Sequence, residues 1–318
     1  MRSVIACSIA CCVTLGLGQS ALGQEESCPR GAKALGVART VSIDTSQGPQ
    51  FGAQYKEASF LASGEVVLTF DDGPLRAYTR PILEALAAHC TKATFFMVGR
   101  MAVADPAMVK EVARQGHTVA SHTWSHGNLQ GLTPLKARAE IELGISGVQQ
   151  ALGAPIAPFF RFPYLRDTPF SLTYLQGRHL ASFSIDVDSK DYLTRDPAVV
   201  SERVLRELAS RRKGIILFHD IHASTASALP GLLTALKERG LRVVHIAPKA
   251  HAETSAEYDA LAQKEAERRR FAASDPMAKR AFPWSSSGLS EPARGPSAVT
   301  RPHRAPRQDD WITKLWRW

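Results

Sequence analysis

Apolar positions along this chain fall into short near-continuous runs that alternate with stretches of 3.6-residue spacing. The first run is Glu65-Val66-Val67-Leu68-Thr69-Phe70, closed by Asp71-Asp72-Gly73-Pro74. Dense apolar character with an abrupt Gly-Pro stop reads as a buried strand. Thr79 to His89 follows with helical spacing at Ile82, Leu83 and Leu86, and Lys92 to Val98 reads as a second strand closed by Gly99. Asp105-Pro106 opens a helix through Met108, Val109 and Val112, His117 to Ala120 is a short strand, and Thr133-Pro134 starts a longer helix to Leu152. The alternation continues with strands at Phe159 to Phe162, Leu180 to Val187, Gly214 to Phe218 and Leu241 to Ile246. Helices fall between them at Pro169 to Gln176, Ala198 to Arg211 and Leu229 to Glu238. Such alternation predicts an α/β fold, a parallel sheet covered by helices and either closed as a barrel or left open. Both arrangements place working residues at the C-terminal ends of the strands.

Outside residues 64–248 the pattern changes. Residues 1–23 read as a signal peptide, with Arg2 before a short apolar run from Val4 to Leu17 and a small-residue site at Ala21-Leu22-Gly23. Export to the periplasm, the cell envelope or the extracellular space is therefore expected. Cys28 and Cys90 then remain in the mature chain, either bridged or as two thiols. Residues 24–63 show no sustained period and read as an irregular arm. Residues 249–280 are charged and Ala-rich, expected as a solvent-exposed helical extension. Residues 281–318 are rich in Pro, Ser, Gly and Arg, expected as a disordered basic tail, with Trp311, Trp316 and Trp318 near its end. That tail is a candidate for contact with an envelope or membrane surface.

Composition adds little to the fold and something to the partners. The 318 residues carry a formal charge of +9 and are 44% hydrophobic, enough for a substantial core and a bias towards anionic polymers. There is no nucleic-acid motif and the basic residues are thickest in the tail, so nucleic acid is not an expected partner. A monomer is expected.

The candidate chemistry sits at strand ends. Asp71 and Asp72 are adjacent on an extended backbone, so their side chains point opposite ways. One can hold a cation while the other keeps a free oxygen as a base. Taken alone, the pair serves a polar turn and helix cap equally well. His122 and His126 lie four residues apart after another strand, a spacing that puts both imidazoles on one side of a helical turn. With the Asp-Asp strand end in the same sheet, a His, His, Asp site with one open position for water is the simplest account. Zinc suits these ligands best, with cobalt, manganese or iron as alternatives.

Five ordered segments carry a resemblance. Thr69-Phe70-Asp71-Asp72-Gly73-Pro74, Ser121 to His126, Arg161-Phe162-Pro163-Tyr164, Asp188-Ser189-Lys190-Asp191-Tyr192 and Leu217-Phe218-His219-Asp220 resemble the signatures of the polysaccharide deacetylases, carbohydrate esterase family 4, the NodB homology domain. The resemblance runs from Glu65 to Ile246 and implies a distorted (β/α)7 barrel. It implies Asp72, His122 and His126 as metal ligands, Asp71 as general base and His219 as general acid. Arg161 would orient Asp71, Asp188 would orient His219, and the Tyr164 N–H would stabilise an oxyanion. Tyr164, Leu165, Tyr192 and Leu217 would contact substrate. Two positions depart from the family's pattern, Leu165 where Gly is usual and Tyr192 where Trp is usual. Both bear on the substrate groove. His117, His222, Asp186 and Asp220 lie near the same strand ends and read as supporting residues.

The implied activity is metal-dependent removal of N-acetyl groups from N-acetylglucosamine-containing polysaccharide, chitin oligomers or peptidoglycan. The alternatives are O-acetyl esterase action on an acetylated polysaccharide and, from a different class, a non-catalytic glycan-binding envelope protein.

Overall fold

The computed structural model describes residue 28, residues 31–56 and residues 59–274. The expected signal peptide and the basic tail with its Trp-rich end lie outside the described residues. Among the described residues ten strands form one sheet: β1 (Arg39–Ile43), β2 (Gln50–Phe51), β3 (Glu65–Asp71), β4 (Thr94–Met97), β5 (Thr118–Ser121), β6 (Phe159–Phe160), β7 (Ala181–Phe183), β8 (Val187–Asp188), β9 (Gly214–His219) and β10 (Arg242–Pro248). The helices are α1 (Arg76–Ala88), α2 (Gly99–Ala104), α3 (Pro106–Arg114), α4 (Pro134–Leu152), α5 (Pro169–Gly177), α6 (Pro197–Arg211), α7 (Ala223–Glu238) and α8 (Ala256–Ser274). Several start where their sequence dictates. Pro106 and Pro197 occupy first-turn positions whose N–H would be unused, while Asp105 and Asp196 accept from Met108 N and Ala198 N.

Every strand pairing is parallel. β3 is the hub. It pairs with β9 from Val66 to Asp71 on one edge, while the other edge takes β10 at Glu65 and Val66 and β4 from Thr69 to Asp71. From β4 the ladder continues through β5, β6 and β7. The extended chain leaving β7 pairs again as β8 with β9, and so completes the circuit back to β3. The single strand expected over Leu180 to Val187 is thus two short strands. The break comes where Ser184 N donates to Phe51 O and Asp186 N to Ile215 O, as the chain changes neighbours in a distorted barrel.

Side chains alternate across this sheet. Val66, Leu68 and Phe70 face the helices in the larger core, while Val67, with Phe96, Ala120, Phe183 and Ile215, lines the inner one. Thr69 and Asp71 share the inner face with Val67. That parity aims Asp71 into the barrel.

Two flanking regions differ from expectation. The 24–63 arm is not wholly irregular, because β1 pairs with β10 and β2 with β7. Both pairings join residues far apart in sequence, so no local period announces them. Cys28 and Cys90 form a disulfide with Cα atoms 5.8 Å apart, tying the arm to the chain just past α1. α8 is not a solvated helix either: Tyr258, Ala262 and Ala266 are buried. Alanines at one face let a charged helix lie close to its neighbours.

Candidate active site

At the mouth of the barrel, the end of β3 presents two carboxylates to two different environments. Asp71 faces inward and meets Arg161, which follows β6. The Arg161 side chain is fully buried, and its Nη1 donates to Asp71 Oδ1 at 2.7 Å and to Thr69 Oγ1 at 2.7 Å. Nε and Nη2 donate to the Phe183 and Ser184 carbonyls at 3.2 Å each, and the guanidinium lies 4.3 Å over the Phe96 ring. Burial pulls the Arg161 pKa below its ordinary value, with Asp71 opposing. A buried cation is tolerable here because its donors are met and a counter-charge touches it.

Asp72 turns the other way, with φ 77. Its Oδ1 lies 3.4 Å from His122 Nε2 and 3.2 Å from His126 Nε2. Burial opposes the charge on Asp72, but the surrounding imidazoles outweigh it and hold the carboxyl well below the usual carboxylate range. His122 Nδ1 donates to the Arg161 carbonyl at 2.8 Å. With that proton committed, the Nε2 lone pair points at Asp72. Burial pushes His126 down to about 4, so its imidazole is neutral at ordinary pH. Asp72 Oδ1 is buried and has no hydrogen-bond partner. One carboxylate oxygen and two imidazole nitrogens, all within 4.8 Å of one another, converge on the same space. This is a donor set that a divalent cation such as zinc satisfies.

The two histidines do not share a helical turn. They sit on the loop after β5, with Thr123 at φ 68 and His126 at φ 60. Close approach of Ser125 and Trp124 to α4 replaces the expected helix.

The turn after Asp72 is set by Asp220. A Cβ on Gly73 would fall within the Asp220 carboxylate, which accepts from Gly73 N at 3.0 Å and from Thr79 Oγ1 at 2.6 Å. Burial raises the Asp220 carboxyl to about 7.

Across the β3–β9 ladder, His219 is the direct partner of Asp71. Here the structure corrects a sequence expectation: Asp191, not Asp188, holds His219. His219 Nδ1 donates to Asp191 Oδ1 at 2.7 Å and its backbone N to Asp191 Oδ2 at 2.7 Å, and Thr225 Oγ1 also donates to Oδ2. Burial works against a charged His219, but Asp191 overcomes it and raises the pKa to about 10. Asp188 instead accepts from Lys190 N at 2.9 Å and from the Tyr192 hydroxyl at 3.1 Å. Lys190, at φ 49, reverses the chain there, so Asp191, three residues after Asp188, is the acid whose carboxylate reaches His219. Both acids lie in one short motif, and spacing alone does not choose between them.

The remaining expected groove residues gather at this mouth. The Tyr192 ring stands edge-on to His219 at 5.5 Å, and the Tyr164 ring edge-on to His126 at 4.7 Å. Tyr164 is 46% exposed, at φ 58, and Leu165 follows at φ 56, left-handed backbone where glycine is the easier residue. Leu217 is buried on β9, two residues before His219 and so on its face. His222 lies with its ring 5.7 Å from that of His219. His117 is away from this cluster, tucked at the start of β5 where its Nδ1 accepts from Ala93 N. Asp186 is also structural, accepting from Ile215 N at 2.8 Å. Besides Asp191, two residues whose roles sequence reading missed are Thr69, which shares Arg161 with Asp71, and Glu140 of α4, which holds Ser125.

A parallel α/β sheet with an Asp-His-His cluster and a buried Asp-Arg pair at its mouth is an arrangement consistent with a divalent-cation site. The family model for polysaccharide deacetylase matches residues 61–176. A chitooligosaccharide deacetylase of Sinorhizobium fredii is 30% identical over 200 residues, 58% of this chain and 91% of that protein. The peptidoglycan-N-acetylglucosamine deacetylase PgdA of Listeria monocytogenes is 32% identical over 184 residues, 57% of this chain, but the match spans only 38% of the Listeria protein. A peptidoglycan deacetylase structure from Bdellovibrio bacteriovorus superposes with a TM-score of 0.63 at 33% identity, covering 69% of this chain and 61% of that one. The chain belongs to the polysaccharide deacetylase family, and its parallel α/β fold is that of the family's solved structures.

Proposed function

We propose that this protein hydrolyses N-acetyl groups from N-acetylglucosamine units of a polysaccharide, peptidoglycan or a chitin-type oligomer. The observation that carries the reading is the placing of Asp71 and His219 opposite each other on paired strands, beside the Asp72, His122 and His126 cluster. The names of the similar proteins, deacetylases of those two glycans, support the substrate class.

Asp72, His122 and His126 would hold the cation, with zinc best suited to two nitrogens and one oxygen. When bound, a divalent cation supplies positive charge that acidifies water and polarises the acetyl carbonyl. Asp71 takes the proton of the attacking water, and Arg161 fixes the carboxylate by holding one oxygen and leaving the other for the base role. The Tyr164 N–H serves as oxyanion donor. Tyr192, Tyr164, Leu165 and Leu217 wall the groove in which the acetylated sugar lies. His219 hands its proton to the departing nitrogen, and Asp191 keeps His219 charged until it does. An amine does not leave as an anion, so a histidine held protonated favours N-deacetylation over O-acetyl ester cleavage. The Cys28–Cys90 disulfide supports an exported location.

The zinc-loaded protein is expected to release acetate and expose amines on chitopentaose or peptidoglycan. Asp71→Asn is expected to lower that rate on the order of 10²- to 10⁴-fold. Equal acetate release by the mutant overturns the base assignment. Acetate from p-nitrophenyl acetate and acetylxylan, with no amine from either glycan, overturns the N-deacetylase reading.

A further inference from the structure

Between the two imidazoles of the Asp72 cluster the chain has no regular structure to hold it. Thr123 and His126 both adopt left-handed backbone, a state that costs a non-glycine residue on the order of 1 kcal/mol or more and persists only when its surroundings impose it. The restraints come mostly from neighbouring elements. His122 N donates to Met97 O, Gly99 N to Thr123 O and Arg100 N to Trp124 O, each at 2.9 Å, and Trp124 N donates to Glu140 O at 2.8 Å. Trp124 is wedged among Val103, Ala266 and Leu143.

Ser125, immediately before His126, is held differently. The Glu140 carboxylate takes both of its donors, Oε2 accepting from Ser125 N at 2.9 Å and Oε1 from Ser125 Oγ at 2.7 Å. α4 comes this near because Gly144, one turn beyond Glu140, has no side chain. A Cβ there would stand 2.5 Å from the Thr123 carbonyl carbon. His122 has its own anchor, the ring bond to the Arg161 carbonyl. His126 N donates to Thr123 Oγ1 at 3.0 Å and its ring meets that of Tyr164 at 4.7 Å, and the backbone leading into it is fixed from α4 at Ser125.

We infer that Glu140 is a positioning residue for the cation site: its two-point grip on Ser125 sets where the His126 imidazole stands, and through it the affinity for the cation. The inference rests on Asp72, His122 and His126 being the cation ligands. A partner bonded directly to a ligating side chain is worth roughly 10- to 100-fold in affinity, and Glu140 acts through the residue before the ligand, so the low end of that range is expected.

The test is zinc affinity of the metal-free full chain, read by competition with a chromophoric chelator, alongside the melting temperature of the same metal-free samples. Glu140→Ala is expected to weaken zinc at least about tenfold, beyond any change in metal-free stability. Glu140→Gln keeps both bonds, its carbonyl accepting from Ser125 N and its amide donating to the rotated hydroxyl, and is expected to stay within about threefold of wild type. Wild-type affinity in Glu140→Ala, or an equal loss in Glu140→Gln, overturns the inference. If Glu140→Ala does not fold, Ser125→Ala substitutes. It deletes the hydroxyl bond alone and is expected to weaken zinc at least about threefold, and unchanged affinity there also overturns the inference. A wild-type chain that binds no zinc defeats the ligand assignment instead, a result distinct from either.

Discussion

Two clusters at the mouth of this barrel have the same composition, one aspartate and two histidines, and the same compactness. Asp72, His122 and His126 make one, and Asp191, His219 and His222 the other, each with donor atoms within 4.8 Å of one another. They differ in where the protons are. In the first, His122 spends its Nδ1 proton on the Arg161 carbonyl, and Asp72 Oδ1 is buried without a hydrogen-bond partner. In the second, the His219 ring, the His219 backbone N–H and the Thr225 hydroxyl all donate to Asp191. One cluster presents lone pairs to a common centre, and the other has filled its carboxylate with protons. Composition and spacing make both look like metal sites, whereas hydrogen-bond satisfaction leaves one as the candidate cation site and pairs the other's His219 with Asp191.

The largest expected effect on this contrast is from Asp191→Asn. It removes the charge that holds His219 protonated while leaving the cation cluster intact. Deacetylation should fall on the order of 10²-fold or more, with zinc content unchanged. Loss of zinc in this variant would merge the two clusters into one site.

A smaller effect is expected on stability. The His219 pKa is raised from 6.5 to about 10 in the folded metal-free protein. A raised folded value stabilises the fold fully below pH 6.5, and this contribution is lost as pH rises through 10. Denaturation midpoints of the metal-free protein should therefore decline over that window, and Asp191→Asn should decline less. Parallel profiles for the two proteins would refute the pairing.

The smallest effect is reserved for Asp188→Asn, whose carbonyl still accepts from Lys190 N while its amide donates to the rotated Tyr192 hydroxyl. Its activity should stay within about threefold of wild type, measured as acetate release. A loss matching that of Asp191→Asn would restore Asp188 as the partner of His219.

Residues whose roles are local were legible in the sequence. The apolar run before Asp71 and the Gly-Pro stop mark a strand end because a strand buried on both faces needs almost unbroken apolar character. The later motifs fall at strand ends for the same reason. What was not legible depends on encounters between distant segments. β1 and β2 acquire their place only by pairing with β10 and β7. His122 and His126 have helical spacing, yet bonds from α2, α4 and β4 make their segment a loop. Asp188 and Asp191 are alike in sequence, and the left-handed turn at Lys190 decides which meets His219. α8 reads as solvated by charge, but its buried alanines bring it against α4.

The most direct measurement of the central contrast is zinc stoichiometry by atomic absorption on three purified chains: wild type, Asp72→Ala and Asp191→Ala. One zinc per chain is expected in wild type and in Asp191→Ala, and none in Asp72→Ala. Zinc retained by Asp72→Ala and lost by Asp191→Ala would place the cation in the other cluster and contradict the account.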